Sequence, residues 1–387
     1  MRIAIVGISG YGAHYLELMD EHVKCFDELC AVVDPFAEIS PYYERIARGG
    51  IPVYDTLEAF YQHGWADLVI ISSPIQFHEA QSICAMENGS HVLCEKPLTA
   101  TLEQAHRIQA VQQRTRKRFG VGFQWSFSST MLKLKRNILD GAYGSPVCLK
   151  ADVSWPRADA YYAGSTWKGR LRDAHGNPVM DSIVTNATAH YLHNIFFVLG
   201  DAMDTAQMPV SAEAQLYRAR PIETFDTCFV RGALRGGATF YFGATHVGER
   251  EVAPRFHYAF EKADIYMAHD AAPIIVHWKD GRQDIIGMVN SVGAAAEKIA
   301  RMREAAMQAV APLCGIDAVI PHLTLCNALF DQAPIADFPA ETVHKTGNPP
   351  GVAVEGLCDV ADACYREVVL PDPAVVNWAI PSACLKL

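Results

Sequence analysis

His91-Val92-Leu93-Cys94 is a short apolar run that ends in an acid, a base and a proline, Glu95-Lys96-Pro97. Val92, Leu93 and Cys94 carry no polar side chain, so they read as a strand buried on both faces, as central parallel strands are. Glu95 and Lys96 then sit at its carboxyl end, the edge at which open α/β sheets bind ligands. Pro97 stops the strand, because it has no N–H to give the ladder. A lysine held there can carry charge or a proton to a substrate. The plain alternative is a strand end with solvated charges, and the flanking elements decide between the two.

A second group of chemistry-bearing residues lies between Asp181 and Asn194. Asn186, His190 and His193 fall at i, i+4 and i+7, on one face of an expected buried helix that runs on through Ile195-Phe196-Phe197-Val198-Leu199 to a C-cap at Gly200. They are either a lined active-site wall or core histidines bonded to backbone and to each other. No carboxylate sits at ligand spacing, so no metal is expected. Upstream, Trp167-Lys168-Gly169-Arg170 and Tyr161-Tyr162 put aromatic faces suited to sugar rings beside cations suited to hydroxyls or a carboxylate. The alternative there is a solvated loop.

The elements that must position these residues follow from periodicity. Ile3-Ala4-Ile5-Val6 is an apolar strand, then comes Gly7-Ile8-Ser9-Gly10-Tyr11-Gly12, then a helical pattern. Strand, glycine-rich turn and helix are the setting of a dinucleotide fingerprint, with the pyrophosphate on the helix N-terminus. Ser9 replaces the middle glycine, and Gly10 beside it keeps the backbone open. Ala31-Val32-Val33 ends at Asp34, the place for a ribose-binding carboxylate; a turn cap is the alternative. No arginine follows Asp34, which favours NAD over NADP. Capping boxes are expected at Asp55-Thr56-Leu57-Glu58 and Thr101-Leu102-Glu103-Gln104. Leu68–Ile71 is a further strand, ending in Ser72-Ser73-Pro74, and His78 opens the next helix. Alternating apolar strands and helices predict a doubly wound parallel sheet, with Gly7, Asp34, Ser72 and Glu95 along one edge.

After Phe123 the pattern changes to strands at 147–153, 212–217, 227–234 and 238–242, a hairpin over 274–286, and helices near 128–139, 294–309 and 354–365. This predicts an α+β domain with a large, mostly antiparallel or mixed sheet. Residues 1–123 are therefore expected to form a nucleotide-binding domain and residues 124–387 a substrate-binding and oligomerisation domain, the last segment packing back on the first.

The chain has 387 residues, 50% of them hydrophobic, which is enough for two domains. Its net charge of −10 argues against nucleic acid and anionic membranes. The one basic run, Arg114–Arg118, falls where a helix should end and suits its dipole. Eleven cysteines without a C-x-x-C pair read as free thiols in a reducing compartment. Apolar runs are too short for a bilayer, and Met1-Arg2 leads straight into a strand, so a cytoplasmic protein is expected.

The order of these motifs resembles the Gfo/Idh/MocA oxidoreductases, the glucose-fructose oxidoreductase and inositol dehydrogenase group. The resemblance rests on the glycine-rich turn, Asp34, Ser72-Ser73-Pro74 with His78, His91 to Leu98, Val121-Gly122-Phe123-Gln124 and the Asn186/His190 element. It implies an N-terminal Rossmann domain, a C-terminal domain whose open sheet mediates a homodimer or homotetramer, and NAD- or NADP-dependent chemistry on a hydroxyl or carbonyl of a sugar, polyol or related ring. It implies that Lys96 contacts substrate and nicotinamide ribose, that the Lys96–Pro97 bond is cis, and that Ser72, Ser73, Pro74, His78, Glu95 and Gln124 border the cofactor. Trp167 with Lys168 resembles the family's substrate loop. The family pattern Asp-x-x-x-His followed by Asp is here Asn186, His190 and His193. Asn186 cannot be a base and is left to orient substrate or His190. Acid/base work then falls on Lys96 and His190; His190 needs the smaller adjustment to titrate near neutrality. Redox-neutral chemistry on the same fold (epimerisation, aldose–aldose exchange, glycoside cleavage) and a non-enzymatic sugar sensor remain as rival expectations.

Overall fold

A computed structural model describes residues 1–387. The chain divides into two compact units, the first made of 1–132, 203–205 and 290–320, the second of the remainder.

The first unit is built on six parallel strands, β1 (Ile3–Val6), β2 (Leu29–Val33), β3 (Val53–Tyr54), β4 (Leu68–Ile71), β5 (His91–Cys94) and β6 (Phe119–Val121). Their order is β3-β2-β1-β4-β5-β6, so the winding reverses between β1 and β4. β1 and β4 are buried at every residue, which explains their unbroken apolar runs. Helices Tyr11–Glu17, His78–Glu87 and Leu102–Thr115 fall between strands as the periodicity predicts. The capping box at Thr101 and Gln104 forms, and Arg116 ends that helix in the left-handed region. The earlier box is shifted: Thr56, not Asp55, caps helix Leu57–His63. A late segment completes this unit. Helix Ser291–Gln308 puts Ala295, Ile299 and Met302 into one core with Ile5, Ile70 and Leu93.

The second unit carries a ten-stranded mixed sheet. Its strands are β7 (Pro146–Ser154), β8 (Pro209–Arg218), β9 (Thr227–Leu234), β10 (Thr239–Thr245), β11 (Val252–Phe260), β12 (Ala263–Met267), β13 (Pro273–Trp278), β14 (Gln283–Met288), β15 (Ile335–Asp337) and β16 (Ala383–Leu385). The order is β14-β13-β12-β11-β7-β10-β9-β8-β15, with β16 also on β8; β7–β10 and β8–β15 are parallel and the other pairs antiparallel. β11 and β12 are absent from the sequence reading. In β11, Phe256, Tyr258 and Phe260 alternate inward with Arg255 and His257 outward, a period of two that Pro254 obscures. Helix Ile316–Gln332, with Pro321 inside it, is likewise unforeseen. No helix is long and apolar enough to cross a membrane, and all eleven cysteines are free.

Candidate active site

At the winding reversal the β1 turn and the β4 loop touch. A Cβ on Gly7 would lie 2.8 Å from the Ser73 nitrogen, and Gly7 itself has φ +78°. A Cβ on Gly12 would stand 1.8 Å from the Gly7 carbonyl oxygen, so the helix can start this close to the turn only with glycine there. No side chain caps the Gly10 end of that helix and no acid lies in its first turn. Ser9, Gly10 and Tyr11 are exposed, and the buried Ser72 hydroxyl beside Gly12 has no hydrogen-bond partner. This crevice, at the carboxyl ends of β1 and β4, is where the fold class binds dinucleotides. Its glycine cradle, open backbone and orphaned hydroxyl fit the pyrophosphate of a nicotinamide dinucleotide.

Asp34 closes one side of the cradle. It is 6% exposed; one carboxylate oxygen accepts from the Ile8 N–H (2.8 Å) and the Ser9 hydroxyl (3.3 Å), the other from the Phe36 N–H (2.8 Å). It therefore fixes the glycine turn as well as standing at the end of β2.

The β4 and β5 loops are stapled by His78. Its Nε2 lies 2.9 Å from the Ser73 carbonyl oxygen and its Nδ1 3.0 Å from that of Pro97. The Ser73 hydroxyl donates to Gln81 (2.6 Å), while Pro74 is exposed. The Lys96–Pro97 bond is cis and Lys96 is half-buried.

Glu95 is the centre of a buried network. One of its oxygens accepts from the Tyr15 hydroxyl (2.6 Å) and from the Lys298 ammonium; the other accepts from the backbone N–H of Lys96 (3.0 Å). Burial pushes Glu95 up, but Lys298, the Tyr15 hydrogen bond and Lys96 outweigh it, and the carboxyl lies below its ordinary range. Lys298 is fully buried, over the rings of Tyr15 and Tyr11. A Cβ on Gly122 would meet the Glu95 carboxylate at 2.5 Å, so Gly122 makes room for it. Tyr11 also donates to Gln124 (3.0 Å). The sequence reading missed Lys298. Its signal was a lysine on the apolar face of a helix, in register with Ala294, Ala295 and Met302.

In the second unit the helix begins at Ala189 and ends at Phe197, so the expected single face over Asn186, His190 and His193 is corrected. Asn186 lies in the preceding turn, where its Nδ2 donates to Asp181 (3.0 Å) and to the Tyr161 hydroxyl (3.3 Å). Val198, not Gly200, is the C-cap. His190 is half-buried. His193 points into the core at 1% exposure, stacked on Phe197 with ring centroids 5.6 Å apart. Burial, with help from His322, His190 and Lys135, holds it well below the ordinary histidine value, so it is neutral.

Asp181, which opens this stretch in the sequence but has no assigned role there, is a buried carboxylate. It accepts from the Gly169 N–H (2.6 Å) as well as from Asn186. This pins the Trp167–Arg170 loop, whose Lys168 ammonium lies 4.0 Å from the centre of the Tyr161 ring. Trp167 is half-buried and Arg170 is exposed. Burial lowers the Lys168 pKa, Asp181 raises it and Arg157 lowers it further.

Residues 1–123 match the model of an oxidoreductase family with an NAD-binding Rossmann fold, GFO_IDH_MocA. The chain is 33% identical over 149 residues to a 1-carboxy-3-chloro-3,4-dihydroxycyclohexa-1,5-diene dehydrogenase of Comamonas testosteroni, covering 37% of this chain and 36% of that protein. It is 32% identical over 151 residues to an inositol 2-dehydrogenase of Rhodococcus jostii, covering 37% and 39%. The matched stretch thus spans well under half of each relative. Among solved structures, the fold resembles the WlbA dehydrogenase of Bordetella pertussis in complex with NADH and UDP-GlcNAcA (TM-score 0.70, 19% identity, 85% of this chain and 95% of that one). It also resembles an oxidoreductase of Agrobacterium radiobacter in complex with NAD+, L-tartaric acid and magnesium (TM-score 0.71, 15% identity, 86% and 95%).

Proposed function

We propose that this chain, whose first 123 residues match the Gfo/Idh/MocA oxidoreductase model, is an NAD-dependent dehydrogenase acting on a hydroxyl or carbonyl of a sugar, polyol or cyclic polyol. The observation that carries the reading is the alignment of the glycine cradle at β1 with Ser72–Ser73 after β4 and Glu95-Lys96-Pro97 after β5, all at one sheet edge. Gly7 to Gly12, Ser72 and Asp34 hold the dinucleotide. NAD is preferred to NADP because a carboxylate stands at the end of β2 without an adjacent arginine. When bound, nicotinamide supplies the hydride chemistry.

The rest is the work of this chain's own residues. Glu95 fixes the backbone of Lys96, and Lys298 keeps Glu95 ionised. In this reading Lys96 supplies a cation for the substrate hydroxyl, and His190 is the favoured base for its proton. Asn186, held by Asp181, orients the substrate. Trp167, Lys168 and Arg170 supply the aromatic and polar contacts.

The test is titration with NADH and with NADPH, followed by a panel of sugars and inositols monitored at the NADH band. NADH is expected to bind more tightly than NADPH, and at least one polyol to yield net NADH. Lys96→Ala and His190→Ala are each expected to lower kcat by about two to four orders of magnitude while the protein stays folded. Wild-type turnover in both variants removes the assignment.

A further inference from the structure

Arg157 and Lys168, both in the second unit, form no ion pair. The Arg157 guanidinium carbon lies 5.2 Å from the ring centres of both Trp155 and Tyr161, and the Lys168 ammonium lies 4.0 Å from the same Tyr161 ring. The Arg157 Nε is buried and meets no acceptor. Neighbouring arginines are paired: Arg220 with Asp226 and Asp159, Arg255 with Asp152 and Asp362. Asp181, whose charge acts on Lys168, accepts from the Gly169 N–H and from Asn186, so one carboxylate stands against two cations. His246, hydrogen-bonded to Tyr162 at 2.7 Å, is kept neutral by burial and by Arg157, Arg220 and Lys168, so it adds nothing to the positive charge.

We infer that Arg157 and Lys168, on the Tyr161 ring, form a carboxylate subsite, and that the substrate is a sugar or polyol acid rather than a neutral polyol. Desolvated donors without an acceptor are costly, and an arriving anion relieves that cost. The Nε edge of arginine forms one side of the fork that takes a planar carboxylate in two parallel hydrogen bonds. Hydroxyls do not require two full charges. Tyr161 also accepts from Asn186, four residues before His190, which ties the anchor to the proposed catalytic turn.

The inference rests on the dehydrogenase reading for the identity of the sugar body, but anion binding is measurable without turnover. Calorimetric titration of the NAD-loaded protein compares glucuronate with glucose, galacturonate with galactose, and glucose 6-phosphate with glucose. A carboxylated member is expected to bind about ten- to a hundredfold more tightly than its neutral partner. Arg157→Met and, separately, Lys168→Met are expected to lower that ratio at least tenfold. Arg157→Lys is expected to restore little of it, because the fork is gone. Equal affinity within every carboxylate pair, or an unchanged ratio in both Met variants, overturns the subsite. Tighter binding of the phosphate than of any carboxylate overturns the choice of anion. Carboxylate binding with no NADH formed on any substrate leaves the subsite standing and removes the dehydrogenase reading instead.

Discussion

Glu95 and Lys298 show how one buried pair can govern a site. Removing the cation in Lys298→Met leaves an uncompensated carboxylate in the core, and such losses cost about 3–5 kcal/mol. Replacing both residues, as Glu95→Gln with Lys298→Met, is expected to recover most of that loss; urea unfolding of the wild type and the two variants checks the comparison. The pair also sets an acid limit. The folded-state pKa of Glu95 lies below its ordinary value, so the folded protein binds fewer protons than the unfolded chain. Its stabilisation is complete above the unfolded pKa, about 4.3, and is lost as pH falls through the lower folded value. Melting temperature measured from pH 7 down to pH 3 is expected to fall more steeply in the wild type than in Glu95→Gln. At this scale the sequence exposed one partner and concealed the other. Glu95 stands in a motif, whereas Lys298 is one lysine in a helix 203 residues away, and nothing local marks it as a counter-ion. Asp181 was hidden for a related reason, because it works by holding backbone and an asparagine rather than by matching a pattern.

Among the elements, the glycine-rich turn separates packing from binding. Gly12→Ala forces a methyl group into the Gly7 carbonyl and is expected to cost about 1–3 kcal/mol or more. At Gly10 a Cβ would meet nothing within 4 Å. Gly10→Ala is therefore expected to change stability by no more than about 0.5 kcal/mol, while weakening NAD where the backbone faces the phosphates. Thermal melts with NADH titrations of the two variants separate these effects; a destabilised Gly10→Ala contradicts them. The parallel strands were readable because burial on both faces leaves unbroken apolar runs, and the helix start at Thr101 because caps are local chemistry. The turn over 183–188 was not, since its residues fit helical spacing equally well and tertiary packing around Asp181 decided the outcome. Pro254 and Pro321 hid a strand and a helix in the same way: each is tolerated by its surroundings against the local rule.

For the molecule as a whole, the division into two units was legible in the switch from alternating helices and strands to runs of strands, but the composition of the first unit was not. That unit needs residues 290–320, which follow most of the second sheet in the chain. A fragment ending at residue 132 exposes the apolar surface that Ala295, Ile299 and Met302 cover, and it strands the Glu95 carboxylate. It is expected to bind the dye ANS and to lack a cooperative thermal transition. The same fragment with residues 290–320 joined by a flexible linker is expected to regain one; a sharp transition in the short fragment alone counts against this. The split also has a consequence in time. At roughly 5–20 residues per second, a ribosome makes Glu95 about 10–40 seconds before Lys298. During that interval the nascent nucleotide unit waits with its core half-covered, and the second sheet emerges while the first is still unfinished. Growing this protein in a cell therefore depends on shielding an early, incomplete domain until a late helix arrives.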